Sequence, residues 1–210
     1  MTSPALRLLA ASTNRGKVRE IREALAGLPL EVRTLADHPG LPVFPETGLT
    51  FEENARGKCL FYSRAAEGLV LAEDSGLEVA ALNEAPGVYS ARFAGAAATD
   101  ELNIDKVLGL LAGVPPDDRG ARFVCCVALA LGGRVIAEIR GTVDGMITQE
   151  RRGREGFGYD PIFYYPPLDR TFGELSPEEK NAVSHRGRAL QKLKSFLERY
   201  LAGADSAPGE

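Results

Sequence analysis

The sequence feature that most restricts the fold is the stretch Leu69–Val79, LVLAEDSGLEV, in which an apolar run stops at Glu73 and resumes after Gly76. An apolar run of this length is typical of a strand that is buried on both faces of a sheet. Carboxylates at the end of such a strand are costly unless a cation approaches them. We therefore predict that the strand ends here, that Gly76 turns the chain, and that Asp74 and Ser75 face a crevice.

The same stretch has an ordinary explanation. Asp and Ser are frequent turn residues, and Asp74 and Ser75 could satisfy backbone N–H groups where a strand meets a turn. Taken alone, the stretch favours this explanation. The crevice gains support from the other unusual clusters along the chain.

Composition excludes several classes of protein. The chain has 210 residues, 44% hydrophobic and 26% charged, which suits one large globular domain or two lobes that share a sheet. The net charge of −4 gives no basic field for general nucleic-acid binding, so any phosphate site has to be local. Cys59, Cys125 and Cys126 lack metal-type spacing and are expected in the core of a protein in a reducing compartment.

The sequence shows no signal for a membrane or for secretion. No segment reaches the roughly 18 consecutive apolar residues that span a bilayer. Asn14, Arg15 and Lys17 interrupt the first apolar run too early for a signal peptide. We expect a cytoplasmic protein that does not associate with membranes.

A polar loop separates the first predicted strand, Ala5–Ala11, from the first predicted helix, Val18–Leu28. The residues of this loop are Ser12, Thr13, Asn14, Arg15, Gly16 and Lys17. Helix N-terminal amides attract phosphate and Lys17 adds a full positive charge, so the loop is a plausible anion cradle. Its spacing is not that of a Walker A loop, and helix capping alone also explains such residues.

The next segment is a second predicted strand, Glu31–Leu35, followed by a loop rich in Pro and Gly that contains Glu46. A capping box at Thr50 begins a helix that extends to about Glu67. Lys58 lies on this helix, away from its apolar stripe. From spacing alone, a solvated surface lysine is the simpler interpretation of Lys58.

The middle of the chain predicts a short strand at Glu78–Leu82, a helix at Thr99–Leu111 and then a hairpin. The hairpin consists of Ala121–Leu131 and Arg134–Val143, joined by two glycines. Because a hairpin is antiparallel, we predict that the sheet is not purely parallel.

Aromatic residues are dense in Gly153–Tyr165, GREGFGYDPIFYY. Dense aromatics usually belong to the core, but Phe157 and Tyr159 flank Gly158 and are interpreted as a wall against which a flat ring can lie. The proline after Asp160 holds the backbone beside that carboxylate.

A helix begins at Ser176, which is followed by Pro and by Glu at the third helical position. Lys180 follows, and His185 and Arg186 offer donors to a carbonyl or phosphate oxygen. A capped helix with a basic face explains the same residues equally well. The last predicted helix is Arg188–Leu201.

Neither an internal repeat nor a linker divides the chain. We therefore predict a single domain over residues 1–202 and a disordered tail over residues 203–210.

Together, these clusters carry a resemblance that covers Leu8 to about Leu197. The motifs STNRGK, FPETGLTFEENA, AEDSGLEV, APGVYSARFAG, GFGYDPIF and LSPEEKNAVSHRG occur in order and with similar spacing. In these motifs the chain resembles the family of non-canonical purine nucleoside triphosphate pyrophosphatases, the Ham1-like or inosine triphosphatase enzymes. The many separate motifs in register make the resemblance highly specific.

The resemblance implies hydrolysis of dITP, ITP or XTP to the monophosphate and pyrophosphate, which removes deaminated purines from the nucleotide pool. It also implies a Mg²⁺-dependent cytoplasmic homodimer. The implied fold is a mixed α/β structure with an elongated central sheet, flanking helices and two lobes, with the active site in the cleft between them.

The resemblance also implies a role for each matching residue. Asp74 matches the catalytic residue and, with Glu46, lies where the family places metal-binding carboxylates. Glu73 stands where many relatives have Asp, and Pro45 stands before Glu46 where others have an acid. The implied substrate-binding residues are Ser12, Thr13, Asn14, Arg15, Gly16, Lys17, Lys58, Ser75, Phe157, Gly158, Tyr159, Asp160, Lys180, His185 and Arg186.

Three other functions compete with this one. A nucleotide-binding regulator without turnover would have no need of the proton acceptor at Asp74. A pyrophosphatase for modified pyrimidines differs only in its substrates. A nucleic-acid binder fits the acidic balance of the chain least well.

Overall fold

A computed structural model describes residues 6–203 of the chain. Ala5 of the first predicted strand and residues 204–210 of the predicted tail lie outside the described residues. The strands and α-helices, in chain order, are β1 (Leu6–Ala10), α1 (Arg15–Ala24), β2 (Leu30–Thr34), α2 (Phe51–Ser63), β3 (Leu69–Val79), α3 (Asp100–Leu110), β4 (Gly120–Leu131), β5 (Arg134–Ile147), β6 (Phe163–Tyr165), β7 (Arg170–Thr171), α4 (Pro177–Val183) and α5 (His185–Leu201).

The strands of residues 6–203 form one mixed sheet of seven strands in the order β2-β1-β3-β4-β5-β6-β7. The strand β1 pairs in parallel with β2 and with β3, whereas β6 pairs antiparallel with β5 and β7. The prediction that the sheet is mixed is confirmed.

The predicted hairpin between β4 and β5 adds a further antiparallel pair to the sheet. Gly132 and Gly133, its two turn residues, have φ angles of 56° and 78°. Two consecutive positive φ angles belong to a type I′ turn, whose twist matches that of the flanking strands. Glycine adopts these angles without steric cost, so the two glycines set the register of the longest strands in the described chain.

The strand β3 differs from the sequence prediction. It continues without a turn from Leu69 to Val79, so Asp74 and Ser75 lie within the strand and not at its end. The predicted strand at Glu78–Leu82 is also wrong, because Ala80–Leu82 forms a 3₁₀ helix. Polar residues did not stop β3, since a strand needs only backbone pairing and the polar side chains find partners elsewhere.

Asp74 lies within β3 but beyond the part of β3 that pairs with β1. The pairing of β1 with β3 ends at Ala10, which lies opposite Leu71. Beyond Ala10, the chain of β1 turns away into the polar loop and α1. Asp74 therefore lies three residues beyond the last paired position, past the carboxyl end of β1.

The chain divides into two compact units. The first contains residues up to Asp74, Cys126–Arg140 and the residues from Ala189 onward, and the second contains Ser75–Cys125 and Gly141–Arg188. These two units describe compactness and not function, so the single domain over residues 1–202 stays a prediction.

The core of the first unit lies around β1 and the first half of β3. Leu8, Ala10, Leu69 and Val70 have no exposed surface, and α5 adds fully buried leucines on one face. The helix α2 packs on the sheet through Cys59, whose thiol donates to the carbonyls of β3 and β4. Apolar burial of this kind is the main stabilising contribution to a unit of this size.

The core of the second unit is rich in aromatic rings. Phe163 and Phe172 are fully buried, and their centroids lie 4.9 Å apart. Phe123 of β4 stacks on Phe172 and contacts Phe163 at 4.4 Å. Most of the aromatic residues that follow Gly158 therefore belong to the core, and Ile162 lies there with Phe163.

Three helices begin where the sequence predicts. The Thr50 hydroxyl accepts from Glu53 N at 3.1 Å, and the Thr99 hydroxyl accepts from Leu102 N at 3.3 Å. At α4, Ser176 accepts from Glu179 N while the Glu179 carboxylate accepts from Ser176 N, which completes a capping box.

The last helix begins earlier than predicted, so His185 and Arg186 form its first turn. Within residues 6–203, no helix is long and apolar enough to span a membrane.

We predict that the three thiols resist alkylation in the native protein. All three are buried, and burial raises the pKa of the Cys59 thiol to about 12 and also raises the pKa of Cys126. Because the thiolate is the reactive form, iodoacetamide at about pH 8 should label none of them in the folded protein. Mass spectrometry after labelling in guanidinium chloride, where all three should react, is the control. A thiol that labels equally fast in both conditions would contradict the prediction.

Candidate functional site

The polar loop before α1 has the geometry of a capped helix start. Asn14 accepts from Lys17 N through its side-chain oxygen at 3.0 Å, and Ser12 accepts from Asn14 N at 3.2 Å. Thr13, Asn14 and Arg15 are exposed, while Ser12, Gly16 and Lys17 are partly buried. The cap holds the start of α1, and its macrodipole favours anions at this exposed end.

Lys17 and Lys58 of the first unit are each paired with a carboxylate. Lys17 Nζ lies 3.1 Å from Glu73 Oε1, and the Glu73 side chain is only 1% exposed. Lys58 forms an ion pair with Glu46 and also donates to the Glu73 carbonyl at 3.2 Å. The buried carboxylate of Glu73 therefore has a cation beside it, which explains how a strand can carry it.

Asp74 lies at the centre of this group and is 7% exposed. Its Oδ2 accepts a hydrogen bond from Asn54 Nδ2 at 2.9 Å. Burial raises the pKa of Asp74, against the lowering effects of Lys17, Asn54 and Lys58, and the charge of Glu46 adds to the increase. A carboxylate with a raised pKa is a better proton acceptor than an ordinary one.

The carboxylates of this cluster are oxygen donors of the kind that hard divalent cations prefer. The negative charge of Glu46 raises the pKa of Asp74, and a bound cation would relieve the repulsion between the two carboxylates. No group of three or more Asp, Glu, His or Cys side chains within residues 6–203 is arranged as a metal site. The donor set fits an ion that is held by one or two carboxylates and completes its shell with water and phosphate, as Mg²⁺ does.

The second unit contains a different cluster, built around the ring of Phe157. Lys180 Nζ lies 4.4 Å from the centroid of this ring, and the guanidinium carbon of Arg186 lies 5.4 Å from it. Two cations therefore lie against one partly buried aromatic ring, and the attraction between each cation and the face of the ring helps to hold the three side chains together.

Asp160 serves the loop that carries this ring. It accepts from Phe157 N at 2.8 Å and from Lys180 Nζ at 2.7 Å, and its side chain is 3% exposed. These two hydrogen bonds fix the position of Phe157 relative to Asp160 and Lys180. Gly158 N donates to Asp100 at 2.7 Å, which ties the same loop to the first turn of α3.

Arg186, His185 and Tyr159, which the sequence also predicts as site residues, are all buried. Arg186 donates to the Ser75 hydroxyl at 2.9 Å and is 2% exposed, and the ring of His185 stacks on Phe123 at 4.6 Å. Tyr159 belongs to the aromatic core and donates its hydroxyl proton to the Ser90 carbonyl at 2.8 Å. The Tyr159 side chain is therefore core and not an open wall, which leaves Phe157 as the accessible ring.

The structure thus brings the predicted residues together in two groups. In the first unit, Asp74 is surrounded by Lys17, Lys58, Glu46 and Glu73, with the Ser12–Lys17 loop at the start of α1. In the second unit, contacts link Ser75, Phe157, Asp160, Lys180 and Arg186, and Gly158 follows Phe157 in the same loop, whereas His185 stacks on Phe123. The roles of these residues toward a ligand stay predictions.

Sequence reasoning missed Asn54 and Asp100. Asn54 was visible as a polar residue four positions before Lys58 on the same helix, but no role followed from that spacing. Asp100 lies in the first turn of α3, where an acidic residue is common for reasons of helix stability alone. Neither contact could be found from sequence, because each joins residues at least 20 positions apart.

We predict that Asp74→Asn stabilises the protein at neutral pH. The folded-state pKa of Asp74 lies above the ordinary value of 3.8, so the folded protein binds more protons than the unfolded chain between these two values. The contribution of this carboxyl to stability is therefore lost as pH rises through that interval. Removing the charge should increase the free energy of unfolding by about 0.5–2 kcal/mol at neutral pH.

Urea unfolding of both proteins at about pH 7 and about pH 4 measures this difference, which should shrink at the acid end. Asp117→Asn, a matched change at an exposed residue, is the control. A variant at position 74 that is less stable than the wild type at neutral pH would contradict the prediction.

The chain is similar to known proteins over most of its length. Residues 8–196 match the model of the Ham1 family. A "dITP/XTP pyrophosphatase" of Bacillus cereus is 49% identical over 198 residues, which cover 93% of this chain and 97% of that protein.

Solved structures give the same answer. The structure of a HAM1 protein from Coxiella burnetii has a TM-score of 0.85 and 43% identity, and covers 92% of this chain and 99% of its own. The Ham1 protein of Staphylococcus aureus has a TM-score of 0.83 and 42% identity, with the same coverage. The mixed sheet, the match over residues 8–196 and these similarities together show that the chain belongs to the Ham1 family.

Proposed function

We propose that the protein hydrolyses dITP, ITP and XTP to the nucleoside monophosphate and pyrophosphate, and so removes deaminated purines from the nucleotide pool. The observation that carries the proposal is the buried Asp74, surrounded by two lysines and two further carboxylates, in a chain of the Ham1 family. A relative that is 49% identical bears the name dITP/XTP pyrophosphatase, which supports this substrate class.

The first unit supplies the groups for the triphosphate. The start of α1 and the ammonium group of Lys17 attract phosphate oxygens, and Lys58 adds a second positive charge. Ham1-family pyrophosphatases generally depend on a metal ion. We assign Mg²⁺ to Asp74 and Glu46, where it would lower the pKa of a water molecule and neutralise phosphate charge.

Asp74 then acts as the proton acceptor. Attack on the α-phosphorus requires a water molecule that is oriented and relieved of a proton. A carboxylate held by Asn54 and shielded from solvent can do both. Lys17 and Lys58 stabilise the negative charge that passes to the pyrophosphate leaving group.

The second unit supplies the groups for the base. The ring of Phe157 offers a stacking surface with Lys180 and Arg186 beside it, and His185, which precedes Arg186 in the chain, is a further candidate donor. Hypoxanthine and xanthine carry a keto oxygen where adenine carries an amino group. Donors that face adenine lose their partner, and an unpaired buried donor costs about 1–3 kcal/mol.

The wider assignments follow from the same family. We propose that residues 1–202 act as a single domain, that the protein is a cytoplasmic homodimer, and that it binds no nucleic acid. The acidic net charge of −4 supports the last of these.

We predict pyrophosphate release from dITP, ITP and XTP in the presence of Mg²⁺, with much slower release from ATP and dUTP. Asp74→Asn should lose at least about 10²-fold in kcat while it still binds nucleotide, because the change removes the proton acceptor and one proposed Mg²⁺ ligand but leaves the proposed phosphate and base contacts in place. A coupled pyrophosphate assay and equilibrium binding of ITP in Ca²⁺ measure these quantities. Binding without any turnover would instead favour the regulator, and a preference for dUTP would favour the pyrimidine pyrophosphatase.

We also predict that Arg186→Lys reduces the preference for ITP over ATP. Lysine keeps the charge but lacks the planar set of donors, and the loss of one charged hydrogen bond corresponds to roughly a 10–100-fold change in the ratio of kcat/KM values. Arg188→Lys is the matched control, because Arg188 is exposed and donates to the Thr142 carbonyl. An unchanged ratio in Arg186→Lys would remove Arg186 from base selection.

A further inference from the structure

Asn54 joins two parts of the first unit that carry carboxylates. It lies in the first turn and a half of α2 and is 1% exposed. Its Oδ1 accepts from Gly48 N at 2.8 Å, and its Nδ2 donates to Asp74 Oδ2 at 2.9 Å. One buried amide therefore connects the loop that follows Glu46 to the carboxylate of Asp74.

We propose that Asn54 is a positioning residue for the hydrolytic reaction, which holds the Asp74 carboxylate in one orientation relative to the loop that carries Glu46. The inference rests on the function proposed above. It assigns to Asn54 no contact with the nucleotide or with the reacting atoms.

The loop is shaped to receive this amide. A Cβ atom at Gly48 would lie 2.6 Å from Asn54 Oδ1, so only glycine permits the observed approach. Glu53 accepts from Leu49 N at 2.8 Å and Thr50 accepts from Glu53 N at 3.1 Å. The residues after Glu46 are therefore anchored to the start of α2 by consecutive side chains.

The chemistry of the amide explains why asparagine serves here. Its oxygen can accept only from a donor such as Gly48 N, and its nitrogen can donate only to an acceptor such as Asp74. An aspartate at this position would place a second carboxylate against Asp74. An alanine or leucine would leave both Gly48 N and Asp74 Oδ2 without this partner in a buried place.

A fixed orientation matters for a group that accepts a proton. The carboxylate is productive only when the attacking water lies within hydrogen-bond reach of it. Rotation about the bond that carries the carboxylate reduces the fraction of molecules in that geometry. Removing a group that orients an active-site carboxylate typically costs about 10–100-fold in activity.

The kinetic test compares Asn54→Ala and Asn54→Asp with the wild type for dITP hydrolysis. We expect kcat to fall by about 10–100-fold and KM for dITP to change by less than about threefold, because phosphate and base contacts are untouched. Asn54→Asp keeps an acceptor for Gly48 N, so it gives the same test if the alanine variant does not fold.

Glu53→Ala is the matched control. Glu53 is adjacent on α2 and anchors the same loop through its hydrogen bond from Leu49 N, a contact that does not involve Asp74. It should keep kcat within about twofold of the wild type. If Glu53→Ala loses as much kcat as the Asn54 variants, loop anchoring and not the orientation of Asp74 is responsible, and the proposal fails.

A second measurement does not depend on activity. Asn54→Asp and Asp74→Asn are combined, which restores one donor facing one acceptor at the contact between positions 54 and 74. Urea unfolding should show that Asp74→Asn recovers most of the stability that Asn54→Asp loses, a non-additive result. Additive effects of the two changes would overturn the contact.

The outcomes separate the two proposals. A wild type that is inactive on the whole nucleotide panel overturns the proposed function and, with it, the role of Asn54. An active wild type whose Asn54 variants have the kcat of the Glu53→Ala control overturns the role of Asn54 alone.

Discussion

The first unit depends on the compensation of carboxylates within a buried strand. Glu73 and Asp74 are 2% and 7% exposed, in a strand whose flanking residues are apolar. An uncompensated buried charge strongly opposes folding. Lys17 from α1 provides an ion pair to Glu73, and Asn54 from α2 provides a hydrogen bond to Asp74. The two helices are therefore held to the sheet by polar contacts as well as by apolar packing, and the same contacts assemble the candidate site.

The second unit also contains a buried ion pair, between Lys180 and Asp160, beside its aromatic core. Asp160 holds the loop that carries Phe157 by accepting from Phe157 N and from Lys180. A buried pair of this kind contributes little net stability compared with apolar residues of the same size, but it fixes a geometry. Its value here is that the ring and the cation beside it have one arrangement.

Sequence patterns predicted the elements whose signals are local. The Gly132-Gly133 hairpin, the Ser176 capping box and the buried cysteines depend on neighbouring residues and were predictable. The course of β3 was not, because its polar residues resemble a turn until Lys17, 56 positions earlier, is known to reach Glu73. Asn54 escaped notice for the same reason, since its partner is on another element. The family motifs pointed to most of the cluster, yet motifs alone do not say which residue touches which.

The ion pairs around Asp74 have a consequence for the choice of anion. Lys17 and Lys58 are already occupied by Glu73 and Glu46, so an incoming anion gains only the difference between its own attraction and that of the carboxylate that it displaces. Coulombic attraction grows with charge. Chloride or a lone carboxylate gains almost nothing by such an exchange, whereas a chain of phosphates gains at both lysines. On the proposed role of Lys17 and Lys58 toward phosphates, their ion pairs therefore favour a polyphosphate over anions that carry a single charge.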